Sequence, residues 1–413
     1  MLRGEHGPAA QLAIRLIIEA AEAVNAPRLI DVSSAHVVEC LLYGAGQVPV
    51  DFARRLTELG ARVRIPTTLN VGSADLVHPE LNHGNASELA AAREIMQLYT
   101  DMGARPTFTC APFQEPAGRL RFGEHVAWGE SNAVSFVNSV FGARTNRYGN
   151  VITACAALTG RVPETGLHVT ENRTASVLIR LDAAARRLQD DELFYPVLGH
   201  LVGELAGDQV IAVDGLAPDP GEDRIKAFGA AAAASGAVPL YHLIGITPEA
   251  PDLEHALDGR KPVTTVDLGA TDLQRARDAI DAVPPGAPVT TVCLGAPHLS
   301  LREIGLVAEL IERAPLHPEV DLYVATSRHV LDQAEQRGWA ETIRRRGGRF
   351  VSDRCTYFPG ILHRRDTAVM TDSAKWAFYA PVCIQAAVAL GSLAQCLQAA
   401  RTARVPDVTR WSA

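Results

Sequence analysis

Three cysteines stand where the hydropathy pattern predicts that a β-strand gives way to a loop. Cys110 follows Pro106-Thr-Phe-Thr, Cys293 follows Val289-Thr-Thr-Val, and Cys355 follows Arg349-Phe-Val-Ser-Asp-Arg. In open α/β sheets, ligands gather beyond the carboxyl ends of the strands. Thiols at three such ends can therefore converge on one ion or cluster despite their separation in sequence. A single buried cysteine more often serves as a small apolar residue. Three at strand exits favour a site.

Other reactive side chains fall at similar places. His298 and Ser300 follow Cys293; Ser300 with Glu303 three residues on reads as a capping box, which leaves His298 for the cleft. Lys375, in Thr371-Asp-Ser-Ala-Lys375, can fix a carboxylate or phosphate as a point charge or cap its own loop. Ser33-Ser-Ala-His36 and Thr67-Thr-Leu-Asn70-Val-Gly-Ser73 each follow a predicted strand. The densest polar stretch runs from Gly123 to Arg147. Within it Glu130, Ser131 and Asn132 open an apolar-periodic helix, where free backbone N–H groups favour an anion or a side-chain cap. Beyond that helix, Arg144–Arg147 reads as a substrate loop or as a basic turn answering the helix dipole. Walker A, C-x-x-C and G-x-S-x-G patterns are absent, and Gly44-Ala-Gly46-Gln-Val-Pro49 lacks the third glycine of a dinucleotide fingerprint.

The elements that must position these groups alternate between strand and helix, the pattern of parallel or mixed sheets covered by helices, with a cleft at the strand C-terminal ends. Predicted strands fall at 28–33, 61–66, 106–110, 174–181, 289–293, 319–325, 348–352 and 367–371. Helices fall at 8–24, 51–59, 89–102, 192–205, 223–234, 300–313 and 327–338, and a long one after Pro381 closes the chain. Pro- and Gly-rich connectors at 217–221 and 283–287 divide it into an N-terminal α/β region (1–216), a connecting region (217–287) and a C-terminal α/β domain (288–413) that carries Cys293, Cys355 and Lys375. The residues from Thr402 onward carry few apolar anchors.

With 413 residues, 47% hydrophobic and 21% charged, the composition is that of a soluble globular protein of two or three domains. A net charge of −8 argues against a general nucleic-acid binder. Seven cysteines, an odd number, do not make a disulfide scaffold. No signal peptide is visible, and the uncharged stretches 227–248 and 376–400 are interrupted by Pro, His, Gln and Gly, so neither reads as a membrane span. The expected location is cytoplasmic.

Collectively the strings resemble the catalytic large subunit of the aconitase X family. The resemblance rests on Glu130-Ser-Asn-Ala-Val through Gly142-Ala-Arg-Thr-Asn146, Pro66-Thr-Thr-Leu-Asn70, Thr109-Cys-Ala-Pro112, Gly295-Ala-Pro-His298-Leu-Ser300, Asp353-x-Cys355 and Ser373-Ala-Lys375 with Tyr379. It implies an aconitase-like α/β hydro-lyase that uses a 4Fe-4S or 2Fe-2S cluster or a single iron as Lewis acid. The implied substrates are small hydroxy acids of the cis-3-hydroxy-L-proline kind, with 5-phosphomevalonate as the alternative. By the same comparison the metal thiols fall on Cys110, Cys293 and Cys355. Substrate contacts fall on Glu39, Cys40, Leu41, Asn70, Val71, Glu130, Ser131 and Lys375, with Arg144 a further candidate. Lys375, Ser131, Glu130 and His298 are the candidate catalytic groups. The family's proton-abstracting serine rides on a swivelling domain not found in these residues, which implies a small partner subunit. Two departures bear on substrate: Asp372 replaces an asparagine and Glu39 a glycine, each adding negative charge near the expected anion site. They also leave open a catalytically altered or metal-free scaffold. A thiol-nucleophile enzyme is the weakest alternative, because no spacing sets a base beside Cys110 or Cys355.

Overall fold

Parallel pairing dominates the architecture, as burial of strands on both faces by helices requires. The computed structural model describes residues 1–407, 410 and 411. Strands β1 (Leu29–Asp31) and β5 (Arg161–Pro163) pair antiparallel. Strands β2 (Ala35–Val37), β3 (Thr67–Leu69) and β4 (Ala127–Trp128) make a parallel sheet in the order β3-β2-β4. A second parallel sheet, β8-β7-β6-β9, is built from β6 (Val177–Leu181), β7 (Ile211–Asp214), β8 (Tyr241–Leu243) and β9 (Thr264–Leu268). The third, β12-β11-β10-β13-β14, uses β10 (Val289–Leu299), β11 (Asp321–Thr326), β12 (Gly348–Val351), β13 (Ala368–Thr371) and β14 (Val388–Leu390), again parallel throughout. The expected α/β class is therefore the observed one.

Local differences from the sequence expectations have identifiable causes. No strand forms at 106–110: Phe108 adopts φ 41°, which breaks an extended run, and the Thr107 hydroxyl takes the Leu69 N–H and shares the Leu69 carbonyl with Thr109 N. Cys293 does not end its strand. β10 continues to Leu299 through a register shift after Leu294, where Gly295 takes φ 94°. The 61–66 segment spends its backbone on helix-end carbonyls of Met102 and Ala157, and pairing begins only at Thr67. Pro381 does not start a long helix. A helix already runs over Ala374–Cys383, capped by the Ser373 hydroxyl on Trp376 N, and Pro381 lies in its last turn. Strand β14 and a second helix, Leu393–Thr402, follow. Of the tail expected to lack anchors, residues 408, 409, 412 and 413 lie outside the described residues, but Trp411 is buried and donates to Asp191.

Two sheets that never pair are joined by side chains reaching backbone. Beyond β12, Ser352 N donates to Asp75 Oδ2 (2.8 Å) and Leu76 N donates to Asp353 Oδ2 (2.9 Å). Gly72 N reaches Asp353 O at 2.7 Å. Asp353 is fully buried and is neutralised by a bidentate Arg328 at 2.7 Å on both oxygens. This clasp sets the loop that carries Cys355 against the loop that carries Asn70 and Val71.

Replacing Arg328 with alanine strands a buried carboxylate. The expected cost is about 3 kcal/mol of unfolding free energy, read as a lowered urea midpoint, with Arg328→Lys losing less.

Candidate active site

A cavity of about 440 Å³ opens where β3, the start of the Ser131–Phe136 helix, the loop after β12 and the Ala374–Cys383 helix meet. Asn70, Val71, Cys110, Glu130, Ser131, Cys355 and Lys375 line it together with Leu41, so most of the expected residues are brought to one place. A larger cleft of about 680 Å³ lies alongside and shares Tyr43 and Phe358, but no cysteine lines it. Chemistry rather than size selects the smaller one.

The centre is a buried ion pair. Lys375 Nζ donates to Glu130 Oε1 at 2.9 Å, with side-chain exposures of 2% and 9%. Glu130 is also the helix N-cap: its other oxygen accepts from Ala133 N at 2.7 Å, while Ser131 Oγ donates to Oε1 at 3.2 Å. Burial alone would raise the Glu130 carboxyl, but the Lys375 ammonium and the Ala133 N–H hold it below the ordinary carboxylate value. Burial opposes the charge on Lys375 too, and Glu130 overrules it, raising the ammonium above its usual range. Both groups stay charged.

Cys110 and Cys355 both line the cavity, and each acts on the other's ionisation, raising the Cys110 thiol and lowering that of Cys355. Cys110, with the Tyr357 hydroxyl and the Lys375 charge, pulls Cys355 down against burial and makes it the readier thiolate. His298 N donates to Cys110 Sγ at 3.3 Å, and Asn132 Nδ2 holds the Cys110 carbonyl at 2.8 Å. The donor chemistry suits iron or an iron–sulfur group. Cys293 packs in the same buried cluster, but its thiol bonds the Thr356 hydroxyl and does not line the cavity. Among the described residues, no three His, Cys, Asp or Glu side chains are gathered closely enough to hold a metal. The fit is one of donor type alone: Cys110 and Cys355 line the cavity and Cys293 does not.

Several expected residues sit elsewhere. His298 is fully buried, bonded through Nδ1 to Thr109 Oγ1 at 3.0 Å, and burial pushes it down to about 4, so it backs the floor as a neutral ring. Arg144 turns away to the His168 carbonyl and the Thr170 hydroxyl. The arginine of that connector that lines the cavity is Arg147, exposed and without an ion-pair partner among the described residues. Cys40 is buried in the core behind. The two acidic departures also fold away from the cavity. Glu39 accepts from the Thr153 hydroxyl (3.0 Å) and from Val38 N (2.8 Å), and burial lifts it to about 7. Asp372 sits in a separate small pocket with Lys226 and Glu303, likewise lifted by burial to about 7. Neither adds the charge at the anion site that the sequence suggested.

Family models agree with one another along the chain: the aconitase X first domain matches residues 1–171, the second 175–278 and the third 289–402. The chain belongs to the aconitase X family. It is 42% identical over 410 residues to a cis-3-hydroxy-L-proline dehydratase of Pseudomonas aeruginosa, covering 98% of this chain and 69% of that protein. A Hypocrea jecorina enzyme of the same name is 38% identical, with 97% and 67% covered. The phosphomevalonate dehydratase large subunit of Thermococcus kodakarensis is 34% identical, covering 92% of each chain. The crystal structure of Thermococcus kodakaraensis aconitase X in its holo-form superposes with a TM-score of 0.84 at 32% identity over 97% of each chain. Every relative named here is a dehydratase, which sets the reaction class of this aconitase X member as hydro-lyase.

Sequence reasoning missed part of this aconitase X cavity. Val38, Tyr43, Tyr148, Phe358 and Cys383 line it without any catalytic signature. Tyr379, part of the resemblance, faces the cavity, and Tyr357 joins it there.

The ion pair carries a sign-defined pH dependence. A depressed carboxyl contributes stability above its ordinary value near 4.5 and loses it as pH falls through the folded value. A raised ammonium contributes below its ordinary value near 10.5 and loses it as pH rises through its folded value. Urea unfolding across pH is expected to show a plateau between those limits with losses on either side. The double variant Glu130→Gln, Lys375→Met flattens both edges, whereas Lys375→Met alone destabilises by about 3 kcal/mol at neutral pH.

Proposed function

We propose that this chain dehydrates a small hydroxy acid of the cis-3-hydroxy-L-proline kind, using an iron or iron–sulfur group held by Cys110, Cys355 and Cys293. The observation that carries the reading is the Lys375–Glu130 pair on a cavity of about 440 Å³ that the Cys110 and Cys355 thiols also line. A cyclic amino acid presents one carboxylate and one cationic nitrogen. The cavity offers Lys375 and Arg147 for the first and the Glu130 carboxylate for the second. Phosphomevalonate brings a phosphate and a carboxylate, and among the described residues this wall has no further cation to answer them. Identity to the two hydroxyproline enzymes points the same way.

Proton loss next to a carboxylate places a second negative charge on its oxygens in the transition state. Lys375 Nζ, fixed by Glu130 before substrate arrives, supplies preorganised positive charge there, and the Ser131 hydroxyl supplies a donor. Asn70 and Val71 also line the cavity, and the aromatic side chains of Tyr357 and Tyr379 exclude water. When bound, the metal group supplies a Lewis acid for the departing hydroxyl.

The remaining parts of the reading concern context. A small subunit carrying a swivelling domain completes the enzyme, supported by the large-subunit names of relatives that match over 92% of their length. All seven cysteines are unpaired thiols, which suits the reducing cytoplasm, and among the described residues no helix is long and apolar enough to cross a membrane.

Co-expression with a small subunit and a dehydration screen of cis-3-hydroxy-L-proline against 5-phosphomevalonate tests the substrate, with turnover of the first expected. Anaerobic reconstitution should give stoichiometric iron and charge-transfer absorption that Cys110→Ser and Cys355→Ser abolish. Cys293→Ser loses the iron as well if it completes the ligand set; full loading would restrict it to packing.

A further inference from the structure

We propose that Tyr148, His168 and His125 form a proton relay between the active cavity and a second cleft, with Tyr148 the acid that protonates the departing hydroxyl. This rests on the dehydratase reading above and names a residue for it. Tyr148 lines the active cavity, and its hydroxyl bonds His168 Nε2. On the other side of that ring, His168 Nδ1 bonds His125 Nδ1 at 2.9 Å. His125 and His168 line a separate cleft of about 570 Å³, where Glu164 stands nearby. Three groups that each donate and accept hydrogen bonds thus span the wall between two open volumes. His168 is 3% exposed, and Arg144 fixes its backbone by donating to its carbonyl.

The charges around the chain favour passage over storage. Burial, with the neighbouring His125, Arg173 and Arg144, pushes His168 down to about 3, so a proton does not rest there. Burial, with Arg144 and Arg173, also lowers His125, opposed by Glu164 at the outer end, so the proton it takes up from the outer cleft passes on rather than resting there. Burial raises Tyr148, which therefore keeps its proton at neutral pH. The step balances as follows. The C–O bond breaks with its electron pair on oxygen, which takes the Tyr148 proton. Tyr148 O takes the His168 Nε2 proton, and His168 Nδ1 takes the Nδ1 proton of a His125 charged from water in the outer cleft. Water leaves, and every ring ends neutral.

Tyr148→Phe keeps the ring and removes the shuttle. In the enzyme assembled with its small subunit, kcat should fall by about 10²-fold, as for loss of a general acid, with KM and the thermal midpoint little changed. His125→Ala should lower kcat and regain it with added imidazole, which the outer cleft admits; a structural histidine would show no such rescue. Wild-type kcat in Tyr148→Phe, or no response of His125→Ala to imidazole, overturns the relay. If the wild type dehydrates neither hydroxy acid, the functional reading fails, and the relay is judged by ¹⁵N NMR of the imidazoles. Tyr148→Phe should then shift both His168 and His125 nitrogens; unmoved resonances overturn it.

Discussion

One buried ion pair organises this protein. Lys375 comes from the helix after β13, and Glu130 caps a helix that follows β4, so the contact joins parts of the chain 245 residues apart. Two charges this deeply buried are tolerable only because each has its partner and Glu130 has a second donor in Ala133 N. The geometry therefore comes with the fold. Any arrangement that separates the two helices leaves both charges stranded, so the pair rewards the one docking that also brings Cys110 beside Cys355. The contact that preorganises charge on the cavity wall is also the one that makes the docking specific.

The surrounding groups are graded by what burial does to them. His298 and His168 are driven neutral, Glu39 and Asp372 are lifted toward neutrality, and the buried Glu130 and Lys375 stay ionised because each faces the other. Permanent charge on the cavity wall is thus confined to Lys375, Glu130 and Arg147 among the described residues. That sparse set suits a zwitterion better than a polyanion. The Asp372 carboxylate beneath has its own partner region, where Lys226 meets Glu303 and reaches the His298 carbonyl.

What the amino-acid sequence made legible was local chemistry. Ser300 with Glu303 is a capping box in fact, because both partners lie within four residues. Glu130 and Ser131 were recognisable at a helix start for the same reason. Side-chain direction was not legible. Arg144 and Arg147 share one polar connector, and only the packing of His168 and Thr170 decides which of them turns from the cavity. Glu39 and Asp372 looked like charges at the anion site because sequence shows proximity along the chain and not facing. The strand expected before Cys110 failed on one residue, Phe108, whose left-handed backbone no hydrophobic pattern reveals. Cys383 and Tyr43 reach the cavity from loops and helix ends with no periodic signal at all.

The clasp of Asp75, Ser352, Asp353 and Arg328 has an evolutionary corollary. It fastens one wall of the pocket to the other through peptide groups of Gly72, Leu76 and Ser352, which every non-proline residue carries. Neighbouring side chains in those loops are consequently at liberty to diversify, while the spacing of the walls is inherited unchanged. A lineage can thereby retune which acid it accepts by altering the lining alone, without reopening the seam that holds the two halves together.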